Sequence, residues 1–192
     1  MKKIELIIIL TLIVIIGGTL YWWNKDNSID VKEKSITKLS PTQVESIEAI
    51  GQWEFLAISD EELIDTVRHG FFGDDELVRI YYGTLRLGID MQDVKEDWIA
   101  YDISNDSIIC TLPPVKLLDN NFIDEARTKS FFESGKWTGA DRQDMYDRAY
   151  AAMKRRCLSK ANITTAENNA QTQFLGMFKA LGHNNVKVQF EK

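Results

Sequence analysis

The chain has 192 residues, 44% apolar and 27% charged, with a formal net charge of −6. That length holds one compact domain and something more, and the composition excludes a disordered or collagen-like polymer. Two cysteines and two histidines exclude a disulfide-dense scaffold and disfavour a multi-histidine metal centre, while the negative balance argues against nucleic acid held through its phosphates.

Met1-Lys2-Lys3 precedes an apolar run over residues 6–23, interrupted by Gly17, Gly18 and Thr19. At the helical rise this run spans about 27 Å, close to a bilayer's hydrocarbon core. A buried soluble helix would carry a polar face. A cleaved signal peptide would have a shorter apolar core ending in small residues, whereas this one ends in Tyr21, Trp22 and Trp23. Aromatic rings of that kind mark a membrane interface, and the leading lysines place the N-terminus in the cytoplasm. Residues 1–23 therefore read as a single-pass transmembrane anchor in the cell membrane, with the lipid bilayer as its partner. Residues 24–39 are polar and read as a flexible tether reaching about 20–25 Å. Residues 40–192 form the extracytoplasmic domain, whose negative charge opposes adsorption to anionic lipid.

Ser40-Pro41-Thr42-Gln43 has the form of a helix start, with a Ser cap, Pro in the first turn and Gln three residues on; Gly51 ends that helix. Trp53, Phe55 and Ala57 alternate with their neighbours as in a strand, while Leu63, Ile64 and Val67 suit either state. Residues 70–75, Gly-Phe-Phe-Gly-Asp-Asp, form a turn. A long strand follows over residues 77–87 and is expected to break at Gly88-Ile89-Asp90-Met91. Residues 98–103 and 108–112 make a hairpin across Ser104-Asn105-Asp106-Ser107, with Ile108, Cys110 and Leu112 on one face. Pro113-Pro114 stops the ladder, and residues 115–118 resume as an edge strand.

Thr138 caps a helix to about Lys160, with a stripe of Tyr146, Tyr150, Met153 and Cys157. A second helix runs from about Thr164 to Leu181 through Ala166, Ala170, Phe174, Met177 and Leu181, with Gly182 just past its end. Residues 186–190 alternate as a last strand that rejoins the sheet. The expected fold is α+β: a mainly antiparallel sheet, two C-terminal helices and a final strand, preceded by the transmembrane helix.

The anchor, Tyr81-Tyr82-Gly83, Gly88-Ile89-Asp90-Met91 and a hairpin ending in Leu112-Pro113 together resemble a bacterial family of membrane-anchored proteins. Ala166-x-x-Asn169-Ala170 and Leu181-Gly182 add to the likeness, which spans about residues 44–191. That family carries a domain of unknown function (family 4230). Its Gly-x-Asp-Leu is Gly-Ile-Asp-Met in this chain. The resemblance implies an anchored extracytoplasmic domain and brings no catalytic residues.

The chemistry-bearing residues have plain structural readings. Asp90 could act as an acid or base, yet after a strand and a Gly it suits a turn cap. Asp74-Asp75-Glu76 lacks the alternating ligands and central Gly of a calcium loop. Lys154, Arg155 and Arg156 point in different directions on a helix, so with Lys160 they read as a solvated face. His69 sits in a turn, and His183 at a helix C-terminus, where the dipole favours a cation. Cys110 and Cys157 could bridge in an oxidising compartment, or serve as small buried hydrophobes. Nucleophile elbows, zinc-protease motifs and phosphate loops are missing, so no catalytic, cofactor or metal residues are assigned.

The expected function is a non-enzymatic domain that binds a protein in the same membrane or envelope, with no nucleic-acid partner. Two alternatives are a hydrolase using Asp90, Asp74 and Asp141, and a carrier with an apolar small-ligand or lipid cavity between sheet and helices.

Overall fold

The structure, a computed structural model, describes residues 11, 14–19, 21–22 and 38–191. The chain divides into two units, Met1–Ser35 and Ile36–Lys192. In the first, the described residues are helical, and the Thr19 hydroxyl donates to the carbonyls of Ile15 and Ile16. Most of the expected anchor, and residues 24–37 of the expected tether, lie outside the described residues. Among the described residues no helix is long and apolar enough to cross a membrane.

The second unit begins with chain already packed. Leu39 is buried and its N–H donates to the Tyr101 hydroxyl at 2.9 Å. Helix α1 (Pro41–Glu48) has the capping box its sequence promised, Ser40 and Gln43 each bonding the other's backbone. It leads into β1 (Gln52–Arg68) and β2 (Asp75–Asp90), which pair antiparallel from Gln52↔Asp90 to Arg68↔Asp75. The stretch around Leu63 and Ile64, ambiguous in sequence, is strand throughout, because it is zipped to β2 along its length. Past a register shift between Glu54 and Leu56, the even residues of β1 point inward and the odd ones outward.

β2 does not break at Gly88. It runs to Asp90, and the chain turns only in a short 3₁₀ segment, Met91–Asp93, capped by Asp90. Gly88 serves close approach rather than a turn: a Cβ at that position would lie 1.9 Å from the Trp53 carbonyl oxygen and 2.8 Å from Leu118 Cδ1. β1 and the chain after β5 squeeze it from two sides.

The hairpin β3 (Ile99–Asp102) and β4 (Ser107–Leu112) forms as expected, with Ile108, Cys110 and Leu112 buried. β5 (Lys116–Leu117) and β6 (Lys129–Glu133) pair with successive parts of β2, completing a four-stranded antiparallel sheet. β6 escaped the sequence reading. All five of its residues are exposed, so no apolar alternation marks it.

Helices α2 (Gly139–Cys157) and α3 (Lys160–Ala180) follow. On α2 the buried line is Met145, Ala149, Met153 and Cys157, which keeps Met153 and Cys157 of the expected stripe and puts Met145 and Ala149 in place of the two tyrosines. Tyr146 and Tyr150 flank it, since each needs an edge where its hydroxyl meets polar surroundings. α3 starts at Lys160 rather than Thr164, because Ser159 caps it. Its buried line ends in Phe178 rather than Met177 and Leu181. Gly182 adopts φ +93°, and the Gly182 and His183 N–H groups close the helix on Lys179 and Phe178 carbonyls.

β7 (Val186–Phe190) joins a second sheet, in order β3-β4-β7, lying parallel to β4. The expected mainly antiparallel pairing holds, but the last strand joins a second sheet rather than a single one, and is its parallel member. An intervening helical crossover is the connection that permits it, and α2 and α3 supply one. Phe174 ties the layers together, 5.0 Å from Trp53, 6.3 Å from Phe55 and 6.5 Å from Trp98, ring centre to ring centre.

The Gly88→Ala variant is expected to lose about 1–3 kcal/mol of stability, the usual cost of overpacking. Urea unfolding checks this; an unchanged midpoint would contradict the close approach to Trp53.

Candidate functional site

Alternation along β2 places Leu77, Arg79, Tyr81 and Gly83 on one face, the face that α2 covers. Arg79 is a cation on an otherwise apolar line. The first turns of α2 pass beside it, and their position is set by a compact polar knot. Thr138 caps the helix, with Asp141 bonding back to the Thr138 N–H and hydroxyl, both at 2.7 Å. Arg68, at the end of β1, donates to Asp141 at 3.0 Å and to the Lys136 carbonyl at 2.9 Å, with its guanidinium 4.6 Å from the centre of the Trp137 ring. The hydrogen bonds from Thr138, then the Arg68 cation, hold the Asp141 carboxyl below its usual pKa. The next residue, Arg142, donates to Glu133 of β6 at 2.7 Å, which likewise lowers the pKa of Glu133.

Beside this knot lies a cavity of about 240 Å³ bounded by Arg79, Tyr81, Glu125, Thr128, Arg142 and Tyr146, among others. Two residues that line it, Arg79 and Tyr81, each hold a buried polar atom, Nε and the hydroxyl, that makes no hydrogen bond of good geometry. Tyr81 is only 1% exposed. Burial raises its pKa, partly offset by the adjacent Arg79 cation, so the hydroxyl keeps its proton and remains a donor. The Arg79 guanidinium is 5.4 Å from the Tyr81 ring centre. Tyr146 meets the same ring edge-on at 6.2 Å.

A second hollow, about 270 Å³, is bounded by Ser59, Glu61, Tyr82, Thr84 and Arg127. Arg127 lies over Tyr82, 4.8 Å from the ring centre. None of the unpartnered buried atoms lies on its wall.

The residues singled out in the sequence do not converge. Asp90 caps the 3₁₀ segment through the Gln92 N–H at 3.0 Å and accepts from Gln52 at 3.2 Å; these bonds, first that from Gln92, lower its pKa. Asp74 pairs with His69 at 3.0 Å beyond the opposite end of the hairpin, about 50 Å away along a strand of that length. Asp141 is the helix cap just described. Arg156 is not merely solvated: it grips Asp60 at 2.9 Å and also Glu62, both on β1. Lys154 lies over Tyr150. His183 is buried at the end of α3. Among the described residues no cluster of His, Cys, Asp and Glu has the makings of a metal site.

Cys110 and Cys157 are both free and buried. Desolvation pushes the Cys110 thiol up to about 12 and raises that of Cys157. They act as core hydrophobes rather than as a bridge.

Sequence reasoning passed over Arg79, Tyr81, Arg142 and Tyr146 as a group. The available signal was a charged residue in register with Leu77, Leu85 and Leu87 on a buried strand face. It also treated Phe71 and Phe72 as mere turn residues. They stand at the tip of the β1–β2 hairpin, 95% and 99% exposed, with rings 5.1 Å apart.

Residues 45–188 match the family described as "Protein of unknown function (DUF4230)", and the chain belongs to that family. No curated protein and no solved structure matches it. Most of the residues behind the resemblance have jobs in the fold. Gly83 makes room for the Phe122 carbonyl and Met153 Cε, each within 3 Å of a would-be Cβ. Asn169 donates to the Phe55 carbonyl at 2.9 Å. Gly88, Asp90 and Gly182 are accounted for above. The Tyr81 hydroxyl has no such job.

Because the Asp141 carboxyl is lowered in the folded state, its stabilisation is full above the ordinary carboxylate value near 3.9 and fades as pH falls through the lower folded value. Asp141→Asn should therefore melt below wild type at pH 7, with the gap narrowing below about pH 4; a gap constant across melts from pH 7 to 3 would contradict this. A thiol reagent at pH 8 should label neither cysteine rapidly in the native protein and both after denaturation, and a disulfide found by non-reducing mass spectrometry would overturn the free-thiol assignment.

Proposed function

We propose that the protein is a non-enzymatic, single-pass anchored module that presents its family domain outside the cytosol to a protein partner in the same membrane or envelope. The N-terminal apolar run and its basic flank support the anchor. So does Thr19, whose hydroxyl is satisfied by its own helix, as suits a polar group in lipid. The observation that carries the binding reading is the pair of bare rings at Phe71 and Phe72. Adjacent apolar side chains exposed at the end of a rigid hairpin signify a surface that something else covers. Asp74 and Asp75 follow after Gly73, in a chain of net charge −6. That charge favours a protein over an anionic lipid surface.

The carboxylate hydrolase finds no support. Such an enzyme needs an acid whose pKa is raised near its partner, whereas Asp90 and Asp141 are both lowered and committed to caps. The apolar carrier fares no better, since Phe174, Phe178, Ala166 and Ala170 are fully buried where the cavity would lie.

Crosslinking of the full chain in its membrane should capture a partner or a second copy. The double variant Phe71→Ser/Phe72→Ser should lose that product while changing stability by no more than about 0.5 kcal/mol, as exposed substitutions do. An undiminished product would remove the tip from the interface. Protease added outside intact cells or spheroplasts should digest residues 30–192; full protection would overturn the topology.

A further inference from the structure

The cavity beside α2 has a chemistry of its own. It is lined by two cations, Arg79 and Arg142, and two of its lining residues hold a buried polar atom without a hydrogen-bond partner, Arg79 Nε and the Tyr81 hydroxyl. Gly139, the first residue of α2, also lines it, which brings the positive end of the helix dipole to the same place. Neither atom reaches an acceptor, although Glu125 shares the lining. A buried donor without one is costly, and few native groups are left so.

We propose that this pocket binds a small oxyanion, a carboxylate or phosphate group, that draws on the Arg79 and Arg142 cations and, with a small turn of the side chains, accepts from Arg79 Nε and the Tyr81 hydroxyl. Glu133 pairs with Arg142 and Glu125 shares the wall, so part of the positive charge is already offset. That balance suits a singly charged group rather than a polyphosphate. The volume of about 240 Å³ exceeds that of a bare anion. It leaves room for a few attached atoms against Tyr146 and Thr128 but is smaller than the usual cleft for a drug-sized ligand. Among the described residues Trp53 Nε1 is the third buried polar atom without a partner, and it provides the contrast. Its ring packs on Phe174 and lines neither cavity.

The inference adds a ligand class to the binding module proposed above without depending on its topology or on the Phe71-Phe72 tip. It is therefore tested in solution, on the full chain in neutral detergent. Inorganic phosphate and acetate are titrated by calorimetry, each against sodium chloride at equal ionic strength. At least one should bind to a single site, and whichever binds tighter names the source of the oxyanion. Arg79→Gln should weaken it at least tenfold, and Tyr81→Phe, which removes only the hydroxyl, at least fivefold. Without added anion, Tyr81→Phe should melt no lower than wild type, because the hydroxyl has no partner to lose. Three results would overturn the proposal: no binding beyond chloride, equal binding by Tyr81→Phe, or a lower melting temperature for Tyr81→Phe in the absence of anion. None of them would bear on crosslinking through the hairpin tip.

Discussion

Two arginine–carboxylate clamps hold α2 against β1, and the arrangement of the candidate site depends on them. At the helix N-terminus Arg68 of β1 reaches Asp141, and near its C-terminus Arg156 reaches back to Asp60 and Glu62 of β1. The acid is at the N-terminal end of α2 and the base at the C-terminal end, the polarity that the helix dipole rewards. The lengths also match. Residues 141 to 156 advance a helix by about 22 Å, and residues 68 to 61 advance a strand by about 24 Å. Arg148, halfway along, donates to Thr66 of the same strand. Each pair is partly exposed, so each alone contributes little. Together they fix the position of the helix along the strand, a choice that burial of Met145, Ala149 and Met153 alone would leave free to slide.

That fixed position is what brings the start of α2 beside Arg79 and Tyr81. A helix displaced by one turn would set Arg142 away from Glu133 and Gly139 away from the cavity. Polar groups on the buried face of a strand ordinarily oppose stability, and an apolar residue at position 81 would pack against α2 without that cost. Sequences depart from local consistency mainly where function asks for it. The pair of Arg79 Nε and the Tyr81 hydroxyl, on residues that line one cavity, is such a departure.

Much of the architecture was legible in the chain because it rests on local chemistry. Ser40 and Thr138 are caps whose partners lie three residues away, the 98–112 hairpin has its turn residues between alternating arms, and Gly182 ends a helix in the one conformation it tolerates best. The misreadings have a common cause in contacts distant along the chain. Gly88 looks like a break until Trp53 and Leu118 are seen pressed against it. β6 exists because β2 has an open edge to pair with, not because residues 129–133 alternate. The separate sheet that β7 joins depends on the crossover through α2 and α3, which brings it beside β4. At the candidate site, Arg79 stood in a legible register on β2, but Arg142 and Gly139 come to it only through the Arg68–Asp141 clamp, which pairs residues far apart in sequence.

The same long strand that positions the site restricts where the proposed partner could dock. β1 is a 17-residue edge strand, and an edge of that length invites another chain to add to it. Asp60, Glu61, Glu62 and Asp65 lie along it. Charges spaced this way discourage strand addition, and Arg156 neutralises only the two that face α2. The apolar residues gather instead toward the hairpin tip. Leu63 and Val67 point outward on β1, 54% and 43% exposed. Phe132 pairs with Val78 on the same face. The loop then ends in Phe71 and Phe72. For the partner proposed above, a surface barred along its edge and bare at its tip favours side-chain docking over strand addition.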